Sequence, residues 1–154
     1  MNGLKSLYLS VATQRIGIAR LPDEITDSYI DAFLANATRH GIGFVALDGN
    51  GEVIGDIHAE YLQVYIFRNV LSNLTIAVHP EHQGQGIGKQ LFQRFIAEAR
   101  RNKNLERIEL FCKERNHSAV KMYESLGFKV EGILRNRTNL DGVPENDLVM
   151  GYVL

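Results

Sequence analysis

The sequence predicts a single α/β domain, an α+β arrangement in which helices flank a mixed β-sheet. Its length of 154 residues fits one domain, which we expect to span residues 1–154. Segments with helical spacing of apolar residues alternate with short strand-like segments, and a strand–helix–strand unit occupies the middle of the chain. Hydrophobic residues make up 45% of the chain and charged residues 23%, which is typical of a soluble globular protein and argues against wholesale disorder.

The first half of the chain predicts a helix followed by three strands. Apolar residues recur at helical spacing from Tyr29, and the helix should stop near Gly41. The Asp-Gly-Asn-Gly segment at residues 48–51 is typical of a hairpin turn. Predicted strands lie at residues 44–47, 53–62 and 71–78. Residues 4–18 leave open whether another strand precedes the helix.

The second half predicts two more helices and three strands. Apolar residues at helical spacing indicate a helix from Ile87 to about Arg101. Gly127 is typical of the C-cap of a second, shorter helix. An Asp-Gly pair within residues 139–144 predicts the turn of a final hairpin. The remaining predicted elements are strands at residues 107–112, 128–134 and 147–154 and a helix at residues 118–126.

Charge and cysteine content limit the partners and the compartment. Seventeen Lys and Arg residues against eighteen Asp and Glu give a net charge of −1, whereas a duplex-binding domain usually has a clear basic excess. No apolar run approaches the ~20 residues of a membrane span, and no signal peptide is expected. Cys112 is the single cysteine, which favours a reducing compartment. We therefore expect a cytoplasmic protein that binds neither nucleic acid nor membrane.

The most informative segment is a glycine-rich turn between a predicted strand and a predicted helix. Gly84, Gly86 and Gly88 permit backbone conformations that a Cβ forbids, and they let a ligand approach the backbone closely. The helix that follows offers free N–H groups and a positive dipole end, and Lys89 adds a positive charge. Together these features predict a site for a phosphate-bearing ligand. The glycine spacing is that of neither a P-loop nor a Rossmann turn.

Two sequence blocks, in order, resemble the GNAT superfamily of acyl-CoA-dependent N-acetyltransferases. Residues 83–88 match the family's Q/R-x-x-G-x-G/A signature. Residues 116–128 are similar to its N-x-x-A-x-x-x-Y-x-x-x-G-F segment, and a helix and a strand separate the two blocks, as in the family. The resemblance covers residues 44–154. It implies a GNAT-like fold, in which a central mixed β-sheet is splayed in the middle and flanked by helices.

The resemblance implies acetyl-CoA as cosubstrate, bound around the glycine turn. Backbone groups of Ala77 and Val78 would bond the pantetheine arm, and the Val78 amide would polarise the thioester carbonyl. Asn116 would bond the arm or order its own turn, and Tyr123 would lie near the sulfur. The pyrophosphate would lie on the backbone amides of Gln83, Gly84, Gln85, Gly86, Ile87, Gly88 and Lys89.

The implied reaction is direct attack of a primary amine on the thioester, which makes the protein an N-acetyltransferase. Tyr123 is the predicted acid that protonates the leaving thiolate. Many family members carry a glutamate on the strand before the glycine turn, but residues 74–78 contain no ionisable side chain. Asp56, His58 and Glu60 share one face of their strand by period two, a pattern that also fits a solvated sheet face. On the functional reading, Glu60 is the predicted base, with His58 and, on the neighbouring strand, Glu109 as alternatives. An amine that arrives neutral would need no base.

Neither a metal nor a cysteine nucleophile is expected. His79 and His82 lie three residues apart around Pro80, without further nearby ligands, so no metal site is predicted. Cys112 stands on a strand without an evident histidine partner and is interpreted as an inert buried thiol.

Other functions fit parts of the pattern. A non-catalytic acyl-CoA-binding sensor or assembly module would keep the cleft without turnover, and an unrelated nucleotide-binding protein would prefer ATP. The acceptor amine is predicted to belong to a small molecule, an amino acid or a protein N-terminus. A mixed aromatic and basic set favours an acceptor with a carboxylate, and it equally fits a homodimer contact: Tyr61, Tyr65, Phe67, Arg68, Arg135 and Arg137.

Overall fold

The computed structural model describes residues 2–154, whose strands form one six-stranded sheet in the order β1-β2-β3-β4-β6-β5. The strands are β1 (Gly41–Leu47), β2 (Val53–Tyr61), β3 (Val70–Val78), β4 (Arg107–Lys113), β5 (Lys129–Leu140) and β6 (Val143–Val153). The helices are α1 (Asn2–Ala12), α2 (Asp27–His40), α3 (Ile87–Ala99) and α4 (His117–Leu126). The β3–β4 pair is parallel and the other neighbouring pairs are antiparallel, so the predicted mixed sheet is confirmed.

Local signals in the sequence set several helix boundaries. Thr26 caps α2, since its hydroxyl accepts a hydrogen bond from the Tyr29 N–H at 3.2 Å. Asn116 caps α4 in the same way, because its side chain accepts from the Ala119 N–H at 3.2 Å. Gly127 ends α4 with a φ of 103°, a conformation that strains any other residue. The predicted C-cap at Gly127 is thus present.

The segment that the sequence left open forms a helix, α1. Leu4, Leu7, Tyr8 and Val11 recur three or four residues apart and are all buried. They pack with α2 and with Ala77 of β3 into a core on one face of the sheet. That partner surface exists only in the folded chain, so the short segment alone does not decide between helix and strand.

The C-terminal hairpin is longer than the sequence predicts. β5 and β6 continue through polar residues to a tight turn at Asp141 and Gly142, which have positive φ values of 54° and 83°. The register shifts between Leu134 and Thr138, and Asn136 within that interval has a φ of 51°. This irregularity interrupts the alternation of apolar and polar side chains, which is why the sequence predicts a strand that stops at residue 134.

The parallel strands β3 and β4 separate soon after they meet. Their pairing is limited to Val70 with Arg107 and Leu71 with Ile108. Just beyond, Asn73 adopts a positive φ of 52°, and the β2–β3 register shifts at the same level. A cleft therefore opens between residues 72–78 of β3 and the second half of β4. The predicted splayed sheet is confirmed.

Helices cover both faces of the sheet. α3 and α4 pack over one face, where Phe92, Phe95, Ile57 and Met150 are fully buried. On the other face α1 and α2 pack mainly against β1, β2 and β3. Across residues 2–154, the helices are all too short or too polar to cross a membrane.

A buried polar network joins α1 to β2. The Tyr8 hydroxyl donates to Asp56 Oδ2 at 2.7 Å, and His58 Nδ1 lies 2.8 Å from the same oxygen. The His58 ring stacks on Phe33 of α2, with centroids 4.4 Å apart. Burial raises the pKa of Tyr8, so its hydroxyl stays protonated and donates at neutral pH. The network therefore holds both helices on the sheet.

The Tyr8→Phe variant is expected to lose about 2 kcal/mol of unfolding free energy, because a hydrogen bond to a charged group contributes about 1.5–3 kcal/mol. The ring still packs beside Phe33, so the loss reports the hydroxyl. Urea denaturation measures it. Tyr65→Phe is the matched control: Tyr65 is 73% exposed, and its change should stay within about 0.5 kcal/mol. Equal unfolding midpoints for Tyr8→Phe and the wild type would contradict the role given to this network.

Candidate active site

The glycines of the turn between β3 and α3 have two different kinds of surroundings. Gly84 and Gly86 adopt positive φ values of 74° and 82°; a Cβ at Gly84 would meet nothing within 4 Å, and one at Gly86 would meet only the end of the Gln90 side chain, at 4.0 Å. Their requirement is therefore backbone conformation. A Cβ at Gly88 would lie 3.4 Å from Met122 Sδ and 3.6 Å from Ile76 Cδ1. Gly88 therefore lies where the start of α3 packs on α4 and β3, at distances that are ordinary van der Waals contacts for a Cβ.

The N-terminus of α3 presents free hydrogen-bond donors. The first helical N–H to find an intrahelical acceptor is that of Gln90, which donates to the Gly86 carbonyl at 3.0 Å. The N–H groups of residues 86–89 precede it and have no intrahelical partner. Lys89 is exposed on the same turn. The helix end therefore offers donors, a positive dipole and a cation to an anionic ligand.

The end of β3 is tied to this turn. Gln83 Nε2 donates to the Val78 carbonyl and to Gln14 Oε1, at 3.0 Å each. Ala77 is buried and Val78 half-buried at the strand end. Because β3 pairs with β4 only at Val70 and Leu71, the backbone edge of β3 near Ala77 and Val78 faces the cleft without a strand partner. The glycine turn and this free edge meet at one end of the cleft.

Tyr123 and Asn116 lie on the other wall of the cleft. Tyr123 is 7% exposed, and its ring packs against Phe92 and Phe128 with centroids 5.4 and 6.1 Å away. Burial raises the pKa of Tyr123 well above its ordinary value, and Cys112 adds a smaller effect in the same direction. The hydroxyl is therefore protonated at neutral pH. Asn116 caps α4 through its side-chain oxygen, as described above.

A cavity of about 400 Å³ brings these side chains together. It lies between the loop that follows α1, the end of β4, the start of α4 and the C-terminal hairpin. It is lined by Ile16, Gly17, Ile18, Ala19, Phe111, Cys112, Lys113, Asn116, Tyr123, Arg137, Thr138 and Asp147. The cavity therefore contains the predicted acid, the predicted arm-binding asparagine and one buried acidic side chain that the sequence did not single out.

Cys112 lines this cavity and is held as a neutral thiol. Burial raises its pKa to about 11, and the nearby Asp147 charge contributes in the same direction. A thiol with that pKa is almost wholly protonated at neutral pH and is a poor nucleophile. The geometry thus agrees with the interpretation of Cys112 as an inert thiol.

Glu60 and His58 are not among the residues that line the cavity. Glu60 Oε1 accepts a hydrogen bond from Asn36 Nδ2 of α2 at 3.1 Å. His58 is held between Asp56 and the Phe33 ring. Both stand on β2, one strand further from the cleft than β3. The structure therefore does not bring the predicted base candidates of β2 together with Tyr123.

Of the residues expected near the acceptor, Arg137 lines the cavity. Tyr65, Phe67 and Arg68 lie in the loop before β3, at the end where β3 and β4 still pair. That loop is exposed, with Tyr65 at 73% and Phe67 at 48%. The register of the hairpin brings Arg137 to the cavity, whereas the loop before β3 lies at the opposite end of the cleft.

Asp147 is the functional candidate that the sequence reasoning missed. It is 7% exposed, it lines the cavity, and it pairs in register with Lys113 of β4 and Leu134 of β5. A single aspartate early in a strand carries no distinctive pattern. Its place in the cavity that Tyr123 also lines follows from the register of three strands, which the sequence does not state.

The histidines near the glycine turn form no evident metal centre. The His79 and His82 rings lie 5.8 Å apart at their centroids. Across residues 2–154, no three His, Cys, Asp or Glu side chains come together as a metal-binding group. The expectation of no metal remains a prediction.

Comparison with known structures identifies the fold. The chain superposes with a TM-score of 0.88 on a GNAT superfamily phosphinothricin acetyltransferase from Sinorhizobium meliloti, solved in complex with acetyl-CoA. The two are 19% identical, and the match covers 99% of this chain and 82% of that one. A ribosomal-protein-alanine N-acetyltransferase from Brucella melitensis also gives a TM-score of 0.88, at 22% identity, with 99% and 93% of the two chains covered.

Sequence comparison gives the family. The spermidine N(1)-acetyltransferase of Vibrio cholerae serotype O1 is 33% identical over 121 residues, which are 78% of this chain and 66% of that protein. The family model described as the acetyltransferase (GNAT) family matches residues 6–128 and so includes both the glycine turn and α4. The chain belongs to the acetyltransferase (GNAT) family and is an acetyl-CoA-dependent N-acetyltransferase.

Proposed function

We propose that this enzyme acetylates the primary amine of a small compound that also carries a carboxylate, with Tyr123 as the acid for the leaving thiolate. The observation on which the proposal mainly depends is the cavity that Tyr123 and Asn116 share at the far end of β4. Acetyl-CoA would enter along the free edge of β3, with its pyrophosphate on the N–H groups at the start of α3. Its thioester would then lie between Val78 and Tyr123.

The reaction forms one bond and breaks one. The nitrogen lone pair attacks the thioester carbon, and the carbonyl oxygen becomes an oxyanion that the Val78 N–H would stabilise. The C–S bond then breaks, and the electron pair leaves on sulfur. Tyr123 supplies the proton that makes the free thiol, and the proton lost by nitrogen passes to water and restores Tyr123. Because the Tyr123 hydroxyl is neutral, it can donate a proton to the thiolate but is a poor base.

The proposal does not need Glu60 as a base. Glu60 stands outside the cavity lining, and one of its oxygens accepts from Asn36. The thioester is already activated, so an amine that is held correctly can react through its neutral fraction. Positioning of the amine then matters more than a dedicated base.

A second groove supports a carboxylate on the acceptor. It has a volume of about 360 Å³, and it shares Ile18, Ala19, Lys113 and Thr138 with the cavity that holds Tyr123. Arg15 and Arg20 border it. The Arg20 guanidinium lies over the Tyr29 ring, 4.9 Å from its centroid, and is 3.8 Å from Glu24 at the nearest nitrogen–oxygen pair. This ion pair is loose, so Arg20 would still bind a second carboxylate. The relatives differ in their named acceptors, so the groove of this chain decides the choice.

Steady-state acetylation of three amines tests the acceptor class. L-leucine carries a carboxylate beside its amine, L-leucinamide replaces it by an amide, and spermidine has amines alone. Thiol release and the mass of the acetylated product are measured together. The amine of leucinamide is the weaker base, so kcat/KM is expressed per neutral amine, and on that basis we expect the value for leucine to exceed that for leucinamide by about tenfold, the value of one charge-assisted hydrogen bond. A preference for leucinamide or spermidine would contradict the carboxylate. Acetyl-CoA binding without thiol release would favour the non-catalytic module instead.

Cytoplasmic location and a homodimer also remain predictions from the sequence. Light scattering of the purified protein over a range of concentrations measures its mass in solution. A mass of twice 17.3 kDa is the expected result for the homodimer.

A further inference from the structure

Asp147 is a buried carboxylate in which one oxygen has no hydrogen-bond partner. The residue is 7% exposed and stands on β6 between its register partners on β4 and β5. Its Oδ2 lies 3.6 Å from an Arg137 guanidinium nitrogen, at the long end of ion-pair distance. Its Oδ1 is buried and has no hydrogen-bond partner anywhere in residues 2–154.

An arrangement of this kind is unusual and costly. Buried polar atoms in proteins are nearly always hydrogen-bonded, and a buried charge without partners costs several kcal/mol. Among the described residues, Asp147 Oδ1 is the one buried side-chain nitrogen or oxygen atom without a hydrogen-bond partner. Oδ1 is closed off from water-sized molecules, whereas the Asp147 side chain lines the cavity, so a rotation of the carboxyl group would bring Oδ1 to a donor on a molecule that enters the cavity.

The protein's own cations near Asp147 are engaged elsewhere. Lys113 Nζ donates to Glu145 at 2.6 Å and to Thr138 Oγ1 at 2.8 Å. The Arg137 guanidinium lies over the Phe111 ring, 4.1 Å from its centroid, while it faces Oδ2. Neither cation is bonded to Oδ1. Oδ1 therefore keeps its capacity to accept a hydrogen bond and suits a donating group such as an amine.

Asp147 also lies near the reacting centre. It shares the cavity with Tyr123 and Cys112. Its charge contributes to the raised pKa of Cys112, and Cys112 in turn contributes to that of Tyr123. A ligand donor at Oδ1 would thus lie on the same side of the cleft as the proposed acid.

We propose that Asp147 Oδ1 binds the primary amino group of the acceptor and aligns it for attack on the thioester. The inference rests on the proposed function, because it requires an amine to enter this cavity. An amino group offers the N–H donors that Oδ1 lacks, and an acceptor that binds as ammonium first passes one proton to water, which frees the nitrogen lone pair for attack. Asp147 then acts as the amine-binding residue of the acceptor site and selects amines over neutral alcohols.

The test compares Asp147→Asn, which keeps the shape and removes the charge, with Asp31→Asn, which removes a charge from an exposed position on α2. The measurements are kcat/KM for leucine, leucinamide and spermidine, and the Kd of CoA by calorimetry. We expect Asp147→Asn to lower kcat/KM for all three amines by about tenfold or more, with the Kd of CoA within about twofold of wild type. Asp31→Asn should change neither quantity.

A second measurement needs no variant. Wild-type protein saturated with CoA is titrated with leucine and with 4-methylpentanoate, the same carbon skeleton without the amino group. Leucine should bind about tenfold more tightly, because only leucine offers a donor to Oδ1. Equal affinities for leucine and 4-methylpentanoate would overturn the inference. It would also be overturned if Asp147→Asn weakened CoA binding by the same factor as it lowered kcat/KM for the amines.

The two proposals fail separately. Leucinamide keeps the amino group and lacks the carboxylate, so a preference for leucinamide contradicts the proposed acceptor class and leaves the Asp147 comparison intact. Undiminished kcat/KM on all three amines in Asp147→Asn overturns the Asp147 inference even where leucine is the preferred acceptor.

Discussion

Tyr123→Phe is expected to lower kcat for acetyl transfer by about 10²-fold and to leave the Kd of acetyl-CoA nearly unchanged. General acid catalysis contributes roughly 10²–10⁴-fold, and the lower end applies because a thiolate is already a good leaving group. The ring remains packed against Phe92 and Phe128, so the substitution removes the hydroxyl without opening a cavity. Stopped-flow or steady-state thiol release at saturating acetyl-CoA measures kcat, and calorimetry measures the Kd.

Tyr152→Phe is the matched control. Its hydroxyl accepts from Arg100 at 2.6 Å, and its ring packs on Phe128, but it is not among the residues that line the cavity. We expect kcat to stay within about twofold of wild type in this variant. If Tyr123→Phe retained full kcat while Tyr152→Phe behaved as expected, Tyr123 would not be the acid.

The pH dependence of kcat/KM gives an independent readout of the same residue. Burial raises the pKa of Tyr123 above its ordinary value of 10.0, so the acid form persists through and beyond neutral pH. Deprotonation of Tyr123, and the fall in kcat/KM that it causes, would therefore begin only above pH 10. Below that pH, kcat/KM should rise as the acceptor amine loses its proton. A descending limb centred below pH 9 in the wild type, if absent from Tyr123→Phe, would contradict the raised pKa.

Gly86→Ala is expected to weaken acetyl-CoA binding by about tenfold or more. Gly86 has a φ of 82°, and forcing an L-residue into that region costs about 1–2 kcal/mol, which corresponds to roughly tenfold in an equilibrium constant. The strain can relax only by turning the backbone, and this moves the free N–H groups of residues 86–89 away from the anion. Calorimetry with acetyl-CoA measures the change in Kd.

Gly142→Ala separates binding from stability. Gly142 has a φ of 83° and the same open surroundings, but it lies in the turn of the C-terminal hairpin. Both variants should lose a similar amount of unfolding free energy, and only Gly86→Ala should lose affinity for acetyl-CoA. Equal Kd values for the two variants would mean that the glycine turn does not hold the cofactor.

Part of the candidate site could be predicted because its determinants are local. Gly84 and Gly86 need positive φ values whatever surrounds them, and Asn116 and Gly127 cap their helix through bonds within a few residues. Glu60 shows where local reasoning fails. Its place on β2 was predictable from strand alternation, but its contact with Asn36 and its distance from the cavity depend on how α2 packs.

From Tyr29 onwards the sequence by itself determined the order of helices and strands, the glycine turn and the family, since these depend on side-chain periodicity and short-range backbone geometry. Only the tertiary structure decided that residues 2–12 form a helix, that β3 and β4 pair over two positions and then separate, and that Asp147 and Tyr123 line one cavity. These features arise from strand register and from contacts between residues far apart in the chain. Such contacts are fixed by the packing of the whole domain and leave no mark on any short stretch of sequence.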